Sequence, residues 1–539
     1  MVASLHRRLT CVGLALALAS ACGPSKTPME APLPIVDEFG RVPQLICPNG
    51  PGCATARGPL RVGAATRTIT PVVEPFEDLD GNGRWDPTEP YEDLDEDGEY
   101  SAVWMAGFSL GRQARSVHDD LWARALVLEQ GDLQVGMVVL DTVGWFHDDV
   151  LRVREAVQAL GVPLDHLVVA STHDHEAPDS MGPWGATPLE SGRDEDHLSK
   201  VVAWAAEAVA EAWSKREPVT MTYAQVDLPH LVHDSRLPEV KDALATGIRF
   251  EGGGGPVAVL AVWGNHPESL DDTNQALTSD YPHYLRSALE AANPGAVALF
   301  MPGNLGGLMN PLHIEGCPDE EGNATCDNGT YEKAEYIGRG VGEALATALD
   351  GSGAVQVDAP DLRARRRSVL LTFNNVLFLA GWSGGIIDRT VFGADGRRMP
   401  RSRAEQFSVE EVAQGALRIQ SEVGSVGIGP LELVTVPGEL YPELWLTGPN
   451  GESLITHPEG ADYPDAEAEP ALSTLVPDNR LPVVINQAND AIGYLIPRPQ
   501  FDREEPRAYK PNGQYGEQNS IGPDTPGALA EGLQALFGP

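Results

Sequence analysis

Basic residues are scarce. The 539-residue chain carries 38 Lys and Arg against 78 Asp and Glu, a formal net charge of −40. Such a surface repels phosphate backbones and anionic headgroups, which excludes nucleic acid as a partner. Long apolar runs are missing beyond the N-terminus, which excludes a membrane-spanning helix there. No coiled-coil pattern occurs. Charged residues make up only 22% of the chain against 42% apolar, which excludes overall disorder. Gly and Pro are plentiful, at 57 and 44 residues, so a loop-rich globular protein is expected. The length allows three or four domains, or one large catalytic domain.

The N-terminus reads as an export signal. His6, Arg7 and Arg8 precede an apolar run from Leu9 to Ala21 that is too short to span a bilayer as a helix. The run ends Leu18-Ala19-Ser20-Ala21-Cys22, small residues before a cysteine, as in the acylation motif of bacterial lipoproteins. The expected organisation is a signal peptide over 1–21, a lipidated Cys22 with a flexible tether over 22–58, and a body over 59–539. Plain secretion is the alternative. The expected location is the bacterial cell envelope, at the outer membrane rather than the inner.

Cysteine is also sparse. Of six, Cys11 would leave with the signal and Cys22 would carry the lipid, leaving the close pairs Cys47/Cys53 and Cys317/Cys326. Export favours disulfides, and local pairing is the simplest connectivity. A zinc site built from all four is the competing arrangement.

An acidic repeat occupies residues 74–101, with a period of 15 residues: Glu74-Pro-Phe-Glu-Asp-Leu-Asp and Glu89-Pro-Tyr-Glu-Asp-Leu-Asp. In the first copy Asp78, Asp80, Asn82, Gly83, Asp86 and Glu89 fall at positions 1, 3, 5, 6, 9 and 12 of a calcium loop. Hard cations need many oxygens, and Gly at the sixth place permits the sharp turn. Asp78, Asp80, Asn82, Asp86 and Glu89 are therefore candidate calcium ligands. The second copy keeps Asp93, Asp95, Asp97 and Gly98 but has Trp104 at the twelfth place. A solvated acidic loop is the plainer alternative. Calcium here would order the loop, not do chemistry.

Apolar strands alternate with helical stretches through the body, which predicts a layered α/β fold. Strands are expected at 134–141, 166–171, 219–226, 256–263, 296–301, 367–380, 431–436 and 482–487. Helices are expected at 147–160, 196–216, 281–292, 331–350, 404–421 and 525–536. Several strands run straight into polar groups. Thr172-His173-Asp174-His175-Glu176 follows one, Gly264-Asn265-His266-Pro267-Glu268 another, and Pro437-Gly438-Glu439 a third. Asn489-Asp490-Ala491-Ile492-Gly493-Tyr494 follows a fourth. If these strands are parallel neighbours, their ends converge on one crevice. Two His and one Glu with an open position is the usual pattern of catalytic zinc, which supplies a nucleophile near neutral pH.

These motifs resemble those of the neutral ceramidases, zinc-dependent amidases that split ceramide. The resemblance runs from Arg67-Thr68-Ile69-Thr70-Pro71 through Val117–Ala125, the His173/His175 segment, Asn265-His266-Pro267, Pro437-Gly438-Glu439 and Ile492-Gly493-Tyr494 to Gly522-Pro523. It implies a mixed-sheet α/β catalytic domain without the family's C-terminal immunoglobulin-like domain. It implies zinc on His173, His266, Glu439 and Tyr494, with His175 as the proton shuttle. Arg236 and Tyr515 become candidates to stabilise the developing oxyanion. The chain departs from the family in its Asn304–Pro311 segment, where Met309 or Asn310 stands in place of an active-site serine. The acidic repeat is an insertion.

The resulting expectation is an exported zinc hydrolase that cleaves an N-acyl amide, ceramide or a related lipid, at a membrane surface. The alternatives are an esterase or amidase on a non-lipid acyl substrate, and a catalytically inactive, metal-stabilised surface binding protein.

Overall fold

Three sheets build the body, each ending in a parallel pair of strands. The computed structural model describes residues 36–538 apart from 38, 52, 54, 315, 316 and 318–325, so the expected signal peptide and the expected acylation site at Cys22 lie outside the described residues. The first sheet holds β1 (Arg61–Thr68), β2 (Trp122–Gln130), β3 (Leu133–Leu140) and β4 (His166–Ser171). The second holds β5 (Thr220–Asp227), β6 (Leu244–Gly252), β7 (Gly255–Trp263) and β8 (Val297–Pro302). The third holds β9 (Leu362–Thr372), β10 (Leu417–Ile428), β11 (Leu431–Thr435) and β12 (Leu481–Ile485). In each, neighbours pair antiparallel except the last two, where β3/β4, β7/β8 and β11/β12 run parallel.

Both faces of every sheet are covered, which is why these strands read as near-continuous apolar runs. The side-chain period of two divides them. Val135, Met137 and Val139 of β3 join Val168, Leu260, Met301, Leu433 and Ile485 in one central core shared by the three sheets. Val138 and Leu140 point the other way, to α1 (His147–Ala159) and α2 (Glu195–Ser214). The outer face of the second sheet packs on α3 (Tyr281–Ala292) and α4 (Tyr331–Asp350). The third is covered by Phe378 and Trp382 of α5 (Val376–Gly384) and by Leu529, Leu533 and Leu536 of α6 (Thr525–Phe537).

Three local expectations fail for identifiable reasons. The strand expected over 367–380 ends at Thr372, because Asn375 caps α5: its Oδ1 accepts from Leu377 N at 2.9 Å and Phe378 N at 3.2 Å. The helix expected over 404–421 is only a short turn of helix, Val409–Ala413. Gly415, at a left-handed φ of 77°, ends it, and β10 follows. The tether expected over 22–58 is partly sheet: Leu45–Cys47 pairs antiparallel with β9. Both local disulfides, Cys47–Cys53 and Cys317–Cys326, are formed, so the four cysteines do not make a zinc site.

Buried charge ties the sheets together. Arg154 of α1 forks onto Glu422 of β10 at 2.8 and 2.9 Å, and also donates to Asn489 Oδ1 at 3.1 Å. Burial opposes ionisation of Glu422, but Arg154 outweighs it and holds the carboxyl at about 2. A depressed carboxylate contributes stability that is present above its unfolded pKa of about 4.3 and is lost as pH falls toward the folded value. Arg154→Leu leaves Glu422 buried and unpaired, an expected loss of about 3–5 kcal/mol by denaturant unfolding at pH 7. In Glu422→Gln the fall in stability between pH 5 and 2 becomes shallower than in the parent; an unchanged slope would show that Glu422 does not carry it.

Candidate metal centre

Each parallel pair delivers its polar groups to the same region. After β4 the chain turns at His173, whose φ of 67° is left-handed, and its Nδ1 lies 2.6 Å from Val143 O, just past the neighbouring β3. After β7 comes His266, whose Nδ1 lies 2.7 Å from Met309 O, just past the neighbouring β8. After β11 and β12 come Glu439 and Tyr494, which pair with each other in a short parallel bridge. Both histidines thus donate Nδ1–H to a carbonyl. That leaves each Nε2 lone pair facing Glu439 Oε2, at 3.5 Å from His173 and 3.1 Å from His266. Tyr494 Oη stands 3.5 Å from His266 Nε2.

This donor set fits a borderline cation such as zinc. Two imidazoles are fixed in the ligating tautomer, and a carboxylate lies between them. Burial works against the charge on Glu439, but positive charge at His173 and His266, or a cation held between them, would keep its carboxyl well below the usual range. Burial and the Glu439 charge push the Tyr494 phenol well above its usual value.

His175 faces the same centre. A ring nitrogen from each of His173, His175 and His266 lies within 4.8 Å of the others, so three imidazoles could share one ion. His175 Nδ1 is 3.3 Å from Glu268 Oε2. Gly107, at φ 97°, is required beside it, since a Cβ there would sit 2.4 Å from the imidazole Cγ. Arg112 bonds the His175 carbonyl and pairs with buried Glu176 at 2.8 Å. Sequence reading assigned no role to Arg112 or Glu268. Acidic residues near a His motif are ordinary, and only their burial marks these two.

The other candidates divide. Tyr515 lines the cavity, its ring 5.8 Å from that of Tyr494. Arg236 does not line it. Its guanidinium is locked bidentate to Glu517, with Nη1 at 2.9 Å, and Nη1 also donates to Tyr515 O at 2.7 Å. Arg236 therefore supports the Tyr515 loop and is not placed as an oxyanion donor. Met309 sends its side chain into the core beneath α3 and α4 and offers the site only its carbonyl. Asn310 bonds Ser235 Oγ and Leu308 O, both at 3.0 Å.

A cavity of about 350 Å³ rises from this centre, walled by Phe108, Phe146, Met181, Trp184, Phe373, Phe378 and Ile492. Arg389, Gln487, Gln518 and Asn519 add further polar residues to its lining.

The acidic repeat forms a second grouping, and its two copies complete each other. Phe76 bridges Tyr91 antiparallel. Glu89 accepts from Leu79 N at 2.6 Å and Asp86 N at 2.9 Å, closing the first loop. Glu74 accepts from Leu94 N at 3.0 Å and Ser101 N at 2.9 Å, closing the second in the same way. The carboxylate absent from the twelfth place of the second loop comes from in front of the first. Asp78, Asp80 and Glu89 bring ligand oxygens within 4.8 Å of one another, as do Glu74, Asp93 and Asp95. Asn82 Nδ2 instead bonds Asp80 at 3.1 Å and Asp86 at 2.8 Å, linking the remaining candidates.

Arg236→Met strands Glu517 and is expected to cost about 3–5 kcal/mol in a denaturant melt. Adding Glu517→Leu should recover most of that loss; no recovery would show that the pair is not what Arg236 contributes.

No protein-family model matches the chain, and no curated protein matches it. Solved structures do. A ceramidase complexed with C2 superposes with a TM-score of 0.61 at 16% identity, over 89% of this chain and 75% of that one. The neutral ceramidase from Pseudomonas aeruginosa does so with a TM-score of 0.60 at 18% identity, over 89% and 74%. At such identities the likeness is one of fold, and it agrees with the resemblance in the motifs: this chain has the mixed α/β fold of the neutral ceramidases.

Proposed function

We propose that the protein is a zinc-dependent hydrolase of an N-acyl amide in a lipid, ceramide or a close relative. One observation carries this reading: His173 and Glu439, with His266 directly behind them, lie at an apolar cavity of about 350 Å³. The shared fold with two ceramidases supports it.

His173, His266, Glu439 and Tyr494 would hold the ion. When bound, zinc supplies a Lewis acid for the acyl carbonyl and brings the ionisation of water toward neutral pH. The aromatic walls take the acyl chain and keep bulk water out. His175 carries the proton. Among the described residues Nε2 has no hydrogen-bond partner and Nδ1 has only Glu268 Oε2 nearby, at 3.3 Å, so the ring can take a proton from the attacking water and hand it to the leaving amine. Glu268 beside it can hold the imidazole in one tautomer. Tyr515 Oη can donate to the acyl oxygen from the cavity wall. A non-lipid substrate would leave the apolar walls unused, and an inert binding protein would have no use for a free His175.

We also infer that the paired acidic loops bind calcium, Glu74 and Glu89 each serving the opposite repeat. The N-terminal motif supports acylation of Cys22 and anchoring at the cell envelope.

On a short-chain fluorescent ceramide the protein should release fatty acid. His173→Ala or a zinc chelator should lower kcat/KM by at least about 1,000-fold, with the melting temperature of His173→Ala near the parent's. A folded, zinc-loaded protein that releases nothing would end the ceramide reading. Calorimetric titration should find two calcium ions per chain, and Glu74→Gln should remove one. A stoichiometry of zero would leave the repeat as an acidic loop only.

A further inference from the structure

We propose that Gln487 donates a hydrogen bond from its side-chain amide to the acyl oxygen of the substrate, supplying the donor that Arg236 does not. This rests on the amide-hydrolase reading above.

The position is unusually constrained. Gln487 N donates to Gly438 O at 3.3 Å, next to Glu439. Gln487 O accepts from Ser171 N at 3.1 Å, two residues before His173. The residue is thus pinned between two of the segments that form the metal centre. Its φ is 50°, a left-handed backbone that side-chain-bearing residues seldom adopt. Such positions collect at functional sites because the surroundings must hold them there.

The side chain has no structural employment. It lines the cavity together with His173, His175, Glu439 and Tyr494. Gln487 is 2% exposed, and its Oε1 is buried without a hydrogen-bond partner. Among the described residues nothing accepts from Nε2 either. Its neighbours behave differently. Asn486 Oδ1 accepts from Leu440 N at 2.7 Å and Leu305 N at 3.3 Å. Asn489 Oδ1 accepts from Val169 N at 3.0 Å and Arg154 Nη2 at 3.1 Å. In one short loop two asparagines latch the fold and the glutamine between them is idle. A buried carboxamide without partners is costly, and a leucine would fill the space without that cost. An arriving substrate amide would supply both missing partners, its acyl oxygen accepting from Nε2 and its N–H donating to Oε1.

A carboxamide is suited to this work. Its N–H groups donate at every pH, and its terminal torsion turns easily toward either face. Side-chain amides serve as oxyanion donors in acyl transfer, where one donor is worth about 100–1,000-fold in kcat.

The test uses the full-length, zinc-loaded chain and two variants, Gln487→Leu and Gln487→Glu, both of which remove the N–H donor. Expected are a fall in kcat of about 100-fold on a short-chain ceramide with KM little changed, and a weakening of octylphosphonate binding by about 10-fold or more. Octylphosphonate carries tetrahedral anionic oxygens where the reaction would place them. Zinc content is read alongside. A crystal of the unaltered protein with octylphosphonate should place Nε2 about 3 Å from a phosphonate oxygen, and this needs no variant to fold. Phosphonate oxygens beyond hydrogen-bond reach, or both variants within about twofold of the parent in kcat and phosphonate affinity, would overturn the proposal. Should the unaltered protein hydrolyse no amide, the functional reading fails, while the crystal contact and the affinity change still decide the role of Gln487.

Discussion

A carboxylate at the bottom of an apolar cavity must be neutralised from outside its own sheet. Glu439 leaves the third sheet, and the two imidazoles that face it leave the first and the second. Stripping a carboxylate of water is expensive, so an error of about an ångström in any one sheet would leave the charge unmatched. The loop after β12 prevents that error. Asn486 bonds the segments after β8 and β11, and Asn489 bonds β4 and α1. Two side-chain amides thereby register three sheets against one another. The mutual position of the ligand groups is a property of the core, not of the loops that carry them.

The surroundings of that centre are unusually acidic. Asp174, Glu176, Glu268 and Asp280 are all buried, and only Glu176 has an arginine partner within reach. Burial, with its acidic neighbours, raises Glu176 to about 8 despite Arg112, and burial raises Asp280 to about 6 against its hydrogen bonds. Burial and the carboxylates around it push Glu268 well above its usual value. Glu176 and Glu268 so placed tend to keep their protons near neutral pH, which lowers the negative charge packed around the candidate cation site.

Much of this was legible in the sequence, for a physical reason. Strands buried on both faces read as unbroken Val, Leu, Ile and Ala, so their ends are visible, and in this fold the chemistry begins where such runs stop. His173, His266 and Glu439 stand at such ends, whereas Tyr494 entered the ligand set only through the family resemblance. Adjacency was not legible, because a parallel pair leaves no local trace. Arg236 could not be aimed, since its direction is set by Glu517, 281 residues away. Gln487 carried no signal at all: a glutamine after a strand is ordinary, and only the absence of partners makes it conspicuous. The helix expected over 404–421 failed because a capping box and Gly415 confine it to one turn, after which alternation takes over.

The exchange of Glu74 and Glu89 between loops makes the repeat indivisible. A single copy would lack the glutamate that its partner copy supplies to close the turn. The stretch can therefore be gained or lost only as a pair, which sets the smallest step by which this fold can acquire or shed it.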